Sequence, residues 1–135
     1  MMSKHTSFPL INRIFMCVLG ALLLFLFIAP HAYVTGFTTD MREQASKAEA
    51  AAMAGDVKAA SRAVNSMLET LGRAEGTLRL FINHENVNQL HMAVEASLHL
   101  AAIAEWGNML TELQDALRVL EHMDASETFN IYNLF

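Results

Sequence analysis

The chain has 135 residues, of which 53% are apolar. This length suits one small domain with added segments. Of the 9 Lys and Arg, only Lys4 and Arg13 precede residue 31, whereas all 14 Asp and Glu follow it, so this later part carries a net charge of −7. An acidic domain does not suit nucleic acid or an anionic lipid surface. A solvated helical surface explains the charge better than a dedicated cation site.

Residues 14–34 read "IFMCVLGALLLFLFIAPHAYV" and contain no charged residue. A helix needs about 20 apolar residues to cross a bilayer, so this segment predicts a transmembrane helix. A cleaved signal peptide is the alternative, with a small-residue site ending at Ala32. Pro30 makes that cleavage context poor, and we expect an uncleaved anchor. The single cysteine, Cys17, fits as a small apolar residue of the span.

The orientation of the span does not follow from its flanking charges. Lys4 and Arg13 on one side balance Arg42 and Lys47 on the other. The short N-terminal tail is typical of a signal anchor in the cell membrane whose N-terminus stays in the cytoplasm, with the C-terminal domain outside. The chain then divides into a cytoplasmic tail (1–13), a transmembrane signal anchor (14–34), a stalk helix (35–55) and an extracytoplasmic helical bundle with a docking tail (56–135).

The part after the span contains no proline and is rich in Ala, Leu, Met and Glu, which favours helix. A first helix is predicted over Thr38–Met53, after a loosening at Gly36. Gly55 would end it, and Asp56 would cap the next helix. No cysteine occurs in this part of the chain, so a disulfide cannot hold it together.

Apolar residues at steps of three and four predict three further helices. They cover about Val57–Ile82, Val87–Ala104 and Met109–Met123, and in "EWGN" Gly107 would stop one helix and Asn108 cap the next. Gly72 and Gly76 fall on one face of the first of these helices, where another helix could approach closely. The fold class is therefore all-α, with an N-terminal transmembrane helix followed by a small antiparallel up-and-down helical bundle.

The stretch "NHENVN" must break an otherwise overlong helix. Asn86 can cap the following helix, with Gln89 reaching back to complete the cap. His84 and Glu85 would then end the preceding helix, where a histidine can donate to free carbonyl groups.

A metal site is the alternative role for the histidines. His91 lies on an inward stripe where Glu95 could reach it. A site would have to join His84 or His91 with Glu95, His99 or His122 across helices, because no two histidines are spaced i, i+4. The candidate ligands are thus His84, His91 and His122. We expect no metal, no cofactor and no catalytic residue, and the chain is predicted not to be an enzyme. Trp106 is predicted to pack over a helix joint rather than stack on a ligand.

The chain ends in "SETFNIYNLF", which is unusually apolar for a terminus. Ser126 could cap a short helix there. The tail would be an interaction element that packs on the bundle or on a partner, through Phe129, Ile131, Tyr132 and Phe135.

These features together resemble a known family. One span is followed by "GDVKAA", a helix ending in "LRLFINHE", then "LEHM" and "NIYNLF", and this order resembles the bacterial family called domain of unknown function 4363. The resemblance implies a small, single-pass, mainly helical protein without an assigned activity. It also implies a multi-pass membrane protein partner. It marks three positions to test, His84, His122 and Asn130.

Two functions remain open from the sequence. One is an accessory or scaffold protein that holds a membrane-protein partner outside the cytoplasm. The other is an extracytoplasmic sensor or small-ligand or metal-binding module, since small helical bundles bind molecules between helices. A sensor would need a partner in the membrane, because the cytoplasmic tail is too short for an output domain.

Overall fold

The computed structural model describes the backbone of residues 8–132 and the side chains of residues 9–126. This part of the chain forms four helices and no strand: α1 (Phe8–Met53), α2 (Val57–Phe81), α3 (His84–Ala102) and α4 (Trp106–Tyr132). Each helix packs against its two neighbours, and α4 closes the ring against α1. The predicted all-α, up-and-down bundle is confirmed.

Helix α1 has two halves with opposite surroundings. Every residue from Pro9 to Ile28 is exposed, whereas from Val34 onward a stripe is buried at steps of three and four. The helix continues through Pro30, which supplies no backbone N–H, and through Gly36. The predicted loosening at Gly36 was wrong, because one glycine costs only about 1 kcal/mol in a helix and the stripe on both sides of it is held by packing.

The segment predicted as a stalk, residues 35–55, mostly forms one of the four bundle helices. Its buried side chains are small near the turn and larger toward the middle of α1: Ala51 and Ala48 give way to Met41 and Phe37. Small side chains let α1 approach its neighbours closely. The core also contains apolar side chains from the other three helices, the largest being Met67, Leu71, Leu78, Leu90, Met109, Leu113, Leu120 and Met123.

The turn between α1 and α2 forms as predicted. Gly55 adopts a left-handed conformation (φ 68°), and the N–H groups of Gly55 and Asp56 donate to the carbonyls of Ala52 and Ala51. This pairing is the Schellman motif. The Asp56 carboxylate then accepts the N–H of Ala59 at 3.0 Å and caps α2.

The turn between α3 and α4 differs from the prediction. Helix α3 ends at Ala102, and Ala104 takes the left-handed position (φ 57°). Gly107 and Asn108 therefore neither stop α3 nor cap α4, because α4 has already begun at Trp106. The prediction chose Gly107 because glycine, unlike alanine, readily adopts the left-handed conformation.

Two caps predicted near the other end were also wrong. Asn83, rather than Asn86, caps α3, and its side chain accepts the N–H of Glu85 at 2.9 Å. His84 and Glu85 thus lie in the first turn of α3, not at the end of α2. Ser126 caps nothing, because its hydroxyl donates to the carbonyl of His122 within an unbroken α4.

Candidate functional site

The apolar half of α1 leaves the bundle at one end, which we call the proximal end. Because the helices alternate in direction, the α2–α3 turn and the last turns of α4 lie at this same end. The α1–α2 and α3–α4 turns lie at the opposite, distal end. The stretches "LFINHE" and "LEHM" are thereby brought to one end of the molecule, although about 35 residues separate them in sequence.

The α2–α3 turn at the proximal end is short and well held. Ile82 is buried, and its N–H donates to the carbonyl of Leu78 at 2.7 Å. The two residues just before it point outward: Leu80 is 76% exposed and Phe81 is 40% exposed. The turn therefore buries one apolar side chain and presents two others.

Polar contacts hold the two helices together beside this turn. The Arg79 guanidinium pairs with Glu75 on its own helix and also donates to the Asn88 side chain on α3 at 3.3 Å. Gln89 donates to the Glu85 carboxylate at 2.9 Å along α3. The charged groups here serve as donors and acceptors within the bundle.

A polar contact between α1 and α4 is the most specific feature of the site. The hydroxyl of Thr38, which is fully buried, donates to Asp124 Oδ1 at 2.8 Å. Arg42, one turn further along α1, pairs with Asp124 Oδ2 at 2.7 Å. We call these three residues the polar clamp. Both carboxylate oxygens of Asp124 are engaged, so the arrangement suits joining two helices rather than proton transfer.

Sequence reasoning missed the polar clamp. Thr38 and Asp124 are 86 positions apart, so no local spacing joins them. The available signal was Thr38 itself, a polar residue beside the stripe that contains Val34, Phe37 and Met41. A buried hydroxyl needs a hydrogen-bond partner, but the Thr35 carbonyl on the same helix lies 3.2 Å from the Thr38 hydroxyl. The requirement therefore does not identify a residue on a facing helix.

One exposed ion pair on α1, between Glu43 and Lys47, shifts the pKa of a carboxyl group. The Glu43 carboxylate accepts a hydrogen bond from Lys47 at 2.7 Å, and this bond, with the nearby ammonium charge, lowers the pKa of Glu43. Both groups are exposed, on a turn of α1 adjoining Arg42. This pair stabilises the local helix surface and forms no binding site.

A groove between α1 and α2 reaches the proximal end. Its lining includes Tyr33, Asp40 and Arg73, with Gln44 and Thr70 at its distal side. The Gln44 amide donates to the Thr70 hydroxyl at 3.1 Å, while its Oε1, shielded from solvent, has no partner among the described residues. The groove combines an aromatic ring with two opposite charges, and it could hold a small polar group.

The described part of the structure does not bring the three candidate metal ligands together into a metal site. His84 and His122 are exposed, and His91 is half-buried on α3 without a described hydrogen bond to Glu95. His122 lines a groove between α3 and α4 that also includes Asp115. Those two residues are seven positions apart on α4, or about 10 Å along the axis. Among the described residues, no group of three or more His, Cys, Asp or Glu could hold a metal ion.

Two further residue predictions concern surfaces. Gly72 and Gly76 are exposed, and nothing lies within 4 Å of where a Cβ would stand, so no described helix packs on that face. Trp106 is half-buried and packs against the core, as the packing interpretation predicts.

The predicted interaction element lies at the end of α4 and beyond it. Phe129, Ile131 and Tyr132 belong to the last turns of α4, and their side chains lie outside the described set. Phe135 lies outside the described residues.

Comparison with known proteins bears on the chain as a whole. A family model described as "Domain of unknown function (DUF4363)" matches residues 28–134. That range takes in the whole bundle and the end of the apolar half of α1. No curated protein and no solved structure matches the chain.

Proposed function

Because the chain belongs to the DUF4363 family, which is described only as a domain of unknown function, we propose its function from its architecture. The protein is a membrane-anchored accessory or scaffold protein. It holds its helical bundle outside the cytoplasm, where the bundle binds a membrane-protein partner. It is not an enzyme.

The observation that carries this proposal is the unbroken helix α1. Among the described residues, α1 is the one helix long and apolar enough to cross a membrane, and no other described residue covers the side chains from Pro9 to Ile28. An exposed apolar surface of this size needs an apolar environment. The same helix then contributes Val34 and Met41 to the bundle core. A bilayer around the first half would hold the bundle directly at the membrane surface.

The chemistry of the bundle supports a role in binding rather than catalysis. The contact of the buried Thr38 hydroxyl with Asp124 joins two helices. Exposed apolar side chains on the bundle gather mainly at its two ends, with Met53, Val57 and Ile103 at the distal end. Such side chains are the usual anchors of protein contacts. The distal end would be the part of a membrane-held bundle most accessible to a partner.

The anchoring and orientation can be tested with cysteine labelling. In a Cys17→Ala background, a cysteine at Ile103 should react in intact cells with a maleimide that cannot cross the membrane. A cysteine at Ser3 should react only after the membrane is permeabilised. The opposite pattern would overturn the orientation, and release of the protein from membranes by alkaline extraction would overturn the anchor.

Partner binding can be tested with photo-crosslinking amino acids in living cells. A crosslinker at Met53 or Ile103, both exposed at the distal end, should yield a discrete membrane-protein adduct. A crosslinker at Asn65, exposed midway along α2, is the matched control for surface exposure. Absence of an adduct from every exposed position, together with no co-purifying protein after gentle solubilisation, would overturn the scaffold function.

A ligand-binding module is the second candidate, and the α1–α2 groove favours it. The unpartnered Gln44 Oε1 could accept a hydrogen bond from a small molecule there. Mass spectrometry under native conditions on protein extracted from membranes tests this function. A bound small molecule that is lost in Arg73→Ala but retained in Arg62→Ala, an exposed arginine outside the groove lining, would support the module over the scaffold.

A further inference from the structure

Leu80 and Phe81 form an exposed apolar pair at the proximal end of the bundle. They end α2 immediately before the buried Ile82. The turn is capped by Asn83 and tied to α3 through Arg79 and Asn88, so the pair is held on an ordered scaffold. Exposed Leu and Phe side chains side by side indicate a contact surface.

One hydrogen bond between α1 and α2 shows which residue of α1 lies level with this pair along the bundle axis. Gln44 on α1 contacts Thr70 on α2 at 3.1 Å. Ten residues toward the proximal end, about 15 Å on either helix, bring α1 to Val34 and α2 to Leu80. Residue 34 is the predicted end of the transmembrane segment, so Leu80 and Phe81 stand at the boundary where the apolar half of α1 begins.

We infer that the α2–α3 turn inserts Leu80 and Phe81 into the interfacial region of the bilayer that holds α1. This inference rests on the membrane anchoring proposed above. The bilayer is the occupant because α1 runs without a break from its exposed apolar half into the bundle, which holds the turn at the membrane surface. Aromatic and aliphatic side chains are stabilised where headgroups meet acyl chains.

The local charges indicate that this contact is apolar and does not depend on anionic lipid. Arg79, the lysine or arginine nearest the turn in sequence, is engaged by Glu75 and Asn88. Glu85, in the first turn of α3, adds a negative charge. A site for anionic lipid would present a cluster of basic residues instead. The inserted turn would give the bundle a second membrane contact beside α1 and would restrict its tilt.

Site-specific fluorescence on the full chain tests the insertion. In the Cys17→Ala background, single cysteines at Leu80, Ile103 and Leu23 are labelled with an environment-sensitive fluorophore. Each protein is reconstituted in phosphatidylcholine vesicles containing lipids with a nitroxide either near the headgroup or near the middle of an acyl chain. Ile103, 56% exposed in the distal turn, is the matched control for an apolar turn residue, and Leu23 reports on the span.

We expect blue-shifted fluorescence at positions 80 and 23, quenched by the headgroup nitroxide at 80 and by the acyl-chain nitroxide at 23, because position 23 lies near the middle of the predicted span. Fluorescence at 103 should be quenched by neither, and adding phosphatidylglycerol should change little. Quenching at 23 without quenching at 80 would overturn the inserted turn and leave the anchor intact. A protein or the chain's own C-terminal residues would then cover the pair. No quenching at 23 would overturn the anchoring and the inference together. Quenching at 80 only with anionic lipid would overturn the apolar contact.

Discussion

Gly55 and Ala104 occupy equivalent positions in the two distal turns of the bundle. Both have positive φ, 68° and 57°. In each turn the following residue donates its N–H to a carbonyl five positions earlier, from Asp56 to Ala51 and from Glu105 to Leu100, at 3.0 Å in both cases. One turn thus has glycine where the backbone favours it, and the other has alanine in the same strained conformation.

The first prediction follows from this pair. Ala104→Gly should raise the free energy of unfolding by about 0.5–1 kcal/mol, because relief of the left-handed strain exceeds the added entropy of the unfolded chain. Gly55→Ala should lower it by about 1 kcal/mol. No atom lies within 4 Å of a Cβ built at Gly55, so the loss would reflect backbone strain alone. Denaturant unfolding measures both changes, and equal signs for the two variants would contradict the prediction.

The second prediction concerns the polar clamp. Thr38→Val keeps the shape of the buried side chain but removes its hydrogen bond to Asp124, and should cost about 1–2 kcal/mol. Arg42→Gln should cost less than about 1 kcal/mol, because the side chains of Arg42 and Asp124 are 39% and 27% exposed and water screens the pair.

Thermal unfolding of the two single variants and the double variant measures the coupling within the clamp. Since both residues contact one carboxylate, their effects should not add. Thr39→Val is the control, because its hydroxyl bonds only within α1 and is exposed. A loss at Thr39 equal to that at Thr38 would show that the contact between helices contributes nothing.

The third prediction tests whether α1 is part of the folded domain. A fragment beginning at Tyr33 should fold cooperatively as a helical protein, because it retains the α1 stripe from Val34 onward. A fragment beginning at Asp56 should not, since it exposes the faces of α2 and α4 that α1 covers. Circular dichroism and thermal melts compare the two. A cooperative melt of the shorter fragment would show that residues 35–55 are a stalk after all.

The fourth prediction is that stability does not depend on a transition metal. A structural metal makes folding depend on its presence, and the candidate ligands His84, His91 and His122 belong to no group of three or more His, Cys, Asp or Glu among the described residues that could hold a metal ion. Adding EDTA should leave the melting temperature unchanged. A large decrease that one metal reverses, and that is absent in His122→Ala, would establish a metal site.

The fifth prediction concerns the apolar C-terminal residues. If they pack on the bundle, deleting residues 129–135 should lower the melting temperature of the domain by several degrees, because each buried aromatic contributes roughly 1.5–3 kcal/mol. If they pack on a partner, the melting temperature should stay the same and co-purification should be lost. Packing on the bundle is the expected result. A deletion that changes neither property would exclude both roles.

Sequence periodicity predicted a helix well where the helix is defined by one buried apolar stripe. The α2 stripe repeats at steps of three and four, and its predicted end at Ile82 lies one residue from the observed Phe81. The Gly55–Asp56 turn was also predictable, since each residue type suits its position.

The predicted helix caps and turns were wrong where more than one residue was suited to the position, or where the residue type gave no signal. Asn83 and Asn86 are both good caps, and the choice of Asn83 accompanies burial of Ile82 and Val87 on either side of the turn. Ala104 carries no local signal for a turn. The candidate site combines residues distant in sequence, such as Thr38 and Asp124, and only the packing of helices brings them together.

Because α1 is continuous, the rotation of its apolar half about the helix axis is fixed relative to the bundle. A helix turns by about 100° and rises by about 1.5 Å per residue, so each face of the span is in register with one face of the bundle. Inserting a single residue between Pro30 and Val34 would swing the bundle through about 100° relative to the span. Inserting seven would return it to within about 20° of its original direction, about 10 Å further along the axis of α1. If one protein contacts the apolar half of α1 and another contacts the bundle half, the helical repeat of α1 fixes their directions relative to each other.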